Sequence, residues 1–162
     1  MMLVTGSPRS WRTGTALLLL ALGLLSGCSQ GKRPFLMVQF CLAGQADVVG
    51  LKQQLKSIAQ AEGMDFIDGS EEAKQGLEAT NAPKIVRQDP VIHMGVEGRD
   101  GIGLMVGSIG LPSYQVAMGF SEGSDPRKAS AFADTVLKKL GQRWHVRTVP
   151  AGTGALPLKT CN

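Results

Sequence analysis

The stretch Val91-Ile-His-Met-Gly-Val-Glu-Gly-Arg-Asp100-Gly-Ile-Gly-Leu-Met-Val-Gly-Ser-Ile-Gly110-Leu-Pro-Ser-Tyr-Gln-Val-Ala-Met-Gly-Phe-Ser121 reads as three successive strands. Strands over Val91–Glu97, Ile102–Ile109 and Ser113–Ser121 are separated by Gly98-Arg99-Asp100-Gly101 and Gly110-Leu111-Pro112, both of which are turn chemistry. Connections this short make the strands an antiparallel meander. In the third, Tyr114, Val116, Met118 and Phe120 alternate with Gln115, Ala117, Gly119 and Ser121. That alternation belongs to a sheet covered on one side.

Upstream of the meander, Phe35–Leu42 is apolar at both alternating sets of positions, as expected of a strand in the middle of a sheet. It is expected to be the first and central strand. From Asp47 to Glu62, Val48, Leu51, Leu55 and Ile58 recur at helical spacing, with Gly63 as the stop. Met64–Asp68 reads as a short strand. Ser70, as N-cap, opens a brief helix to about Thr80, with Glu71 and Glu72 at its positive end. Asn81–Asp89 reads as a loop in which Ile85 and Val86 pair at an edge.

Downstream, Asp125-Pro126 starts a helix whose apolar face is Ala129, Phe132, Ala133, Val136, Leu137 and Leu140. Lys138 and Lys139 occupy its last turn and Gly141 its C′ position. Trp144–Val149 is the final strand, and Pro150–Asn162 a Gly/Pro-containing tail. These elements specify an α+β two-layer sandwich, a mostly antiparallel sheet with two amphipathic helices on one face.

Far upstream, Arg9 and Arg12 precede ten small and apolar residues, Ala16–Leu25, followed by Ser26, Gly27 and Cys28. This is the layout of a signal peptide. As a helix the run spans about 15 Å, half the hydrocarbon thickness of a bilayer. The tetrad Leu25-Ser26-Gly27-Cys28 resembles the lipobox of bacterial lipoprotein precursors. The resemblance covers the first 28 residues. It implies that the Cys28 sulfur takes a diacylglycerol and that the peptide is cut just before Cys28, a task suited to a thiolate nucleophile. Two acyl chains anchor stably, at about 0.8 kcal/mol per buried CH₂. Ser29 stands where Asp would signal inner-membrane retention in precursors of the enteric type, which favours the outer membrane. The chain then divides into a signal peptide (1–27), a lipidated tether (28–34) and one α+β domain (35–162).

With Cys28 lipidated, Cys41 and Cys161 remain as an even pair, expected to be bridged in an oxidising compartment. Closing a loop of roughly 120 residues contributes about 5 kcal/mol on the chain-entropy account. No second Cys lies close enough to either for a zinc site.

Composition bounds the function. The 162 residues are 43% hydrophobic and 19% charged, with mean hydropathy +0.05, which excludes wholesale disorder and allows one ordinary domain. Without the signal peptide, 15 basic side chains face 13 acidic ones. That excess is too small and scattered to indicate nucleic acid as a partner.

Gly119-Phe120-Ser121-Glu122-Gly123 fits the nucleophile-elbow pattern G-x-S-x-G, with His145 the only later His. A meander in so short a chain cannot supply the long parallel sheet of an α/β-hydrolase, and a strand end followed by a turn yields the same five residues. Gly101, Gly103, Gly107 and Gly110 precede no helix N-terminus, so they suit a hairpin better than a phosphate loop. His93 and His145 stand apart, and Asp65, Asp68, Glu71 and Glu72 lack the ladder of a calcium loop. Lys138, Lys139, Arg143 and Arg147 form the densest positive stretch. They suit a solvated helix end or, with Lys32 and Arg33, anionic headgroups.

No catalytic residue, metal or cofactor is assigned. The expected function is that of a lipid-anchored, non-catalytic binding or adaptor lipoprotein of the cell envelope, with an envelope protein as partner. An immunity protein falls in the same class. The alternative is a small hydrolase or ligand-binding lipoprotein using Ser121.

Overall fold

The computed structural model describes residues 34–83, 90–150, 153–159 and 161. The signal peptide, Cys28, the tether before Pro34, and the edge pairing at Ile85 and Val86 lie outside the described residues.

The meander forms as β3 (His93–Glu97), β4 (Ile102–Gly107) and β5 (Gln115–Glu122), each antiparallel to the next. The β3–β4 turn closes through Gly98 N–H donating to the Ile102 carbonyl at 2.8 Å, with Gly101 at φ 78. Strand β5 starts two residues later than its periodicity indicates. Tyr114 sits at φ 61, a left-handed conformation incompatible with a strand, and Gln115 N–H closes a turn onto the Pro112 carbonyl.

Strand β1 (Leu36–Cys41) pairs with β5 from Leu36↔Phe120 to Cys41↔Gln115. Along its other edge, among the described residues, it pairs with the two-residue β6 (Arg147–Thr148). Strand β2 (Asp65–Asp68) adds to β3, giving the order β2-β3-β4-β5-β1-β6. β1 is therefore paired on both edges but lies next to the sheet's end rather than at its centre. Its two-sided apolarity has another cause, the cover that the C-terminal tail places on its outer face.

Helices α1 (Gln45–Glu62) and α3 (Pro126–Gly141) cover the inner face, α1 against β2 and β3, α3 against β4 and β5. Their buried stripes join Val38, Phe40, Met94, Val96, Leu104, Val106, Val116, Met118 and Phe120 in one core. The ring of Phe132 meets Phe120 edge-on, and Trp144 stacks on Phe40 with centroids 5.7 Å apart. Complete burial of Phe40 or Phe120 contributes about 3 kcal/mol each. This is the expected α+β sandwich.

Helix α3 starts as its sequence dictates: Asp125 Oδ1 accepts from Arg127 and Lys128 N–H, and Pro126 is the first helical residue. Helix α1 ends at Gly63, φ 64. Three expectations are corrected. The third helix, α2 (Ser70–Ala79), buries no residue, and Ser70 is not its N-cap. The Ser70 hydroxyl accepts from His93 N–H at 3.0 Å and donates to the His93 carbonyl, so it is used to extend the β2–β3 contact. Gly141 is not a left-handed stop but part of α3, whose last turn is held by Trp144 N–H donating to the Leu140 carbonyl. That turn also shortens the last strand, because Trp144 is drawn into the core and only Arg147 and Thr148 pair with β1.

Gly123 has φ 59, and a Cβ there would lie 2.6 Å from the Asp100 carbonyl oxygen. Gly110 has φ 76 but open space around it. Urea unfolding is expected to show Gly123→Ala destabilised by about 3 kcal/mol and Gly110→Ala by about 1 kcal/mol. Equal losses would show that backbone conformation, rather than contact with the 98–101 turn, sets the requirement at Gly123.

Candidate functional site

The outer face of the sheet carries no helix from α1 or α3, and its register explains its character. One line of paired residues crosses five strands as Ile67, Gly95, Met105, Gly119 and Met37. The next runs His93, Gly107, Ala117, Gln39 and Arg147. Much of the floor is thus backbone. Met105 lays its sulfur over Gly95, where a Cβ would come within 2.6 Å of it. Pro34 packs over Gly119 in the same way. Met105 and Ile67 remain 46% and 42% exposed.

The β1 end of this face is covered by the tail. Gln39 and Gln115 point outward yet are buried, because both grip tail backbone. Gln115 Nε2 donates to the Leu156 carbonyl at 2.7 Å, its Oε1 accepts from Leu158 N–H at 2.8 Å, and Gln39 Oε1 accepts from Leu156 N–H at 3.1 Å. Beside them Cys41 and Cys161 form a disulfide. A cleft of about 260 Å³ adjoins it, lined by Cys41, His145, Arg147 and Leu158.

Ser121 and His145 are not brought together. Ser121 is exposed near the Leu36 end of β1, opposite Gly103. His145 lines the cleft at the Cys41 end, six strand residues away, about 20 Å. The two glycines of the G-x-S-x-G pattern each have a packing reason, Gly119 under Pro34 and Gly123 against the 98–101 turn. Among the described residues no three His, Cys, Asp or Glu side chains gather to hold a metal, and no helix is long and apolar enough to cross a membrane.

The positive stretch is divided. Lys138 and Lys139 end α3 in the helical layer, whereas Arg147 pairs opposite the outward-facing Gln39. Arg143 is bound to Asp47 at 2.6 Å and lies over the Trp144 ring. The Asp47 carboxylate also accepts from Ala43 N–H at 2.9 Å and from Trp144 Nε1 at 3.2 Å. The Ala43 bond foremost lowers its pKa; burial opposes this, and Trp144 and Arg143 reinforce it. For Asp68, burial acts upward but is outweighed by Lys52 and Ser70, so its pKa is also lowered.

Sequence reading found the outward alternation of β5. It missed the roles of Gln39 and Gln115, whose only sequence signal is a polar residue inside each of two apolar strands, and the uncovered strip at Met105 and Ile67. No protein-family model matches the chain, and no curated protein matches it either.

Both lowered carboxylates favour the folded state above the unfolded pKa of about 3.9, and that stability is lost as pH falls through their folded values. The stability gap between the native chain and Asp47→Asn is expected to be constant from pH 7 to about pH 5 and to shrink below about pH 4. Thermal melts across that range measure it. A gap that widened on acidification would contradict the assigned sign.

Proposed function

We propose that this protein is a bacterial lipoprotein of the cell envelope, anchored through Cys28 and facing the periplasm from the outer membrane, with a non-catalytic binding or adaptor role toward another envelope protein. The observation that carries the adaptor reading is the uncovered strip of the outer sheet face. There Met105 and Ile67 stand exposed over a floor containing Gly95 and Gly107. A surface with so few side chains admits close approach of a partner, and exposed apolar groups supply the gain on burial. The lipobox supports the location, and a disulfide fits an oxidising compartment. The distance between Ser121 and His145 supports a non-catalytic role.

Two experiments test this. Metabolic labelling with palmitate is expected to mark the native chain and not Cys28→Ala; equal incorporation would end the lipoprotein reading. Crosslinking in envelopes, with Met105→Glu beside the native chain, tests the strip. The substitution is at a half-exposed position and is expected to cost about 1 kcal/mol, leaving the domain folded, while removing the crosslinked species. A crosslinking pattern unaffected by Met105→Glu would place the partner elsewhere.

A further inference from the structure

The tail that covers β1 and β5 is attached unlike any other part of the domain. Its described residues make no strand pairing with them. Gln39 and Gln115 instead read one amide and carbonyl at Leu156 and a second amide two residues on, the spacing of an extended segment. The cover is also thin. Leu156 is 57% exposed, and Thr153, Gly154, Pro157 and Lys159 are exposed too. Its covalent attachment, by contrast, borders the open cleft, where Cys41 and Cys161 are both partly exposed and Arg147 supplies a positive charge.

We propose that the tail is a releasable cover: opening of the Cys41–Cys161 disulfide by a dithiol frees it and exposes Gln39 and Gln115 as a site for the backbone of an extended segment of another protein. In the exchange, one thiolate of the dithiol attacks Cys161 Sγ. The Cys41–Cys161 bond breaks, and its electron pair leaves on Cys41 Sγ. The second thiol of the reagent then displaces Cys161. The reagent ends as a disulfide, and the protein has gained two electrons and two protons. The inner core is packed without the tail: β1 pairs with β5 from Leu36 to Cys41, and its inner face lies against Trp144 and the helices. Release leaves the Gln39 and Gln115 side-chain amides facing solvent, with Ala117 between them keeping the floor low. The tail is the resident occupant, and the bonded Leu156 and Leu158 backbone groups show what the site takes. The inference rests on the domain alone and is independent of lipid attachment.

Hydrogen exchange on the purified full chain, oxidised and then reduced and alkylated, tests the release. Reduction is expected to bring exchange at the Leu156 and Leu158 amides close to that of an unfolded segment, while β1 and β5, although faster by the stability the bridge supplied, stay protected. Tail amides that stay protected, or strands that lose protection together with them, would overturn the proposal. A fluorescent synthetic peptide, Thr-Gly-Ala-Leu-Pro-Leu-Lys, tests the exposed site. It is expected to bind the Cys161→Ser chain, not to bind the oxidised native chain, and to be lost from Cys161→Ser when Gln115→Ala is added. Equal binding to the oxidised and Cys161→Ser chains, or none to either, would overturn it.

Discussion

Strand β1 carries side chains that need cover on both faces, whereas the two packed helices lie on one side of the sheet. The inner set, Val38 and Phe40, is met by the helical layer and by Trp144. The outer set is met by the tail, which returns across 120 residues of chain to bond at Cys41. The outer face at this end of the sheet is arranged around this demand. β5 must lie beside β1 in a register that places Gln115 opposite Cys41, so that one glutamine from each strand can hold the same tail segment. The burial of Gln115 depends on that segment, because a buried amide without partners would cost about 1–3 kcal/mol.

The helical layer is tied by a carboxylate. Asp47, near the start of α1, joins the loop leaving β1 to the end of α3 through Ala43, Arg143 and Trp144. Gly44 gives α1 no side-chain cap, so this network takes over the task of fixing the helix start. It also accounts for Gly50, which lies within α1 at a loss of about 1 kcal/mol relative to Ala. A Cβ at Gly50 would run into the Arg143 guanidinium. The energetic balance is local: a weaker helix interior accommodates a charge-assisted contact between α1 and the segment just after α3, 96 residues apart in the chain.

Much of the fold was legible because it depends on local periodicity. The meander, the stripes of α1 and α3, the Asp125-Pro126 start and the disulfide pair are all statements about neighbouring residues or about an even cysteine count. Ser70, Gly141 and the last strand departed from expectation for one shared reason. In each case a tertiary partner took a group that local rules assign to the helix or strand: His93 took the Ser70 hydroxyl, and the core took Trp144. The candidate surface was legible only in part. Small outward residues on β5 are visible as alternation, but that Gly95 and Gly107 share lines with Gly119 and Ala117 requires the register. The position of β1 was misread because two-sided apolarity records cover without saying what supplies it.

Glycines weaken a sheet, so those on the outer face call for reasons. A Cβ at Gly95 would displace the Met105 sulfur, one at Gly119 would press on Pro34, and one at Gly103 would meet the Val96 carbonyl. Gly107 differs: the nearest atom to a Cβ there is the Ile92 carbonyl oxygen, at an ordinary 3.9 Å. The fold does not need Gly107 for space, and a β-branched residue would suit the strand better. Its place is where the covered and uncovered halves of the face meet, on the line that contains Ala117 and Gln39. A side chain there would raise a ridge between the tail's site and the Met105 strip. Its absence leaves the two halves as one surface, as an adaptor that engages a single extended partner along both would require.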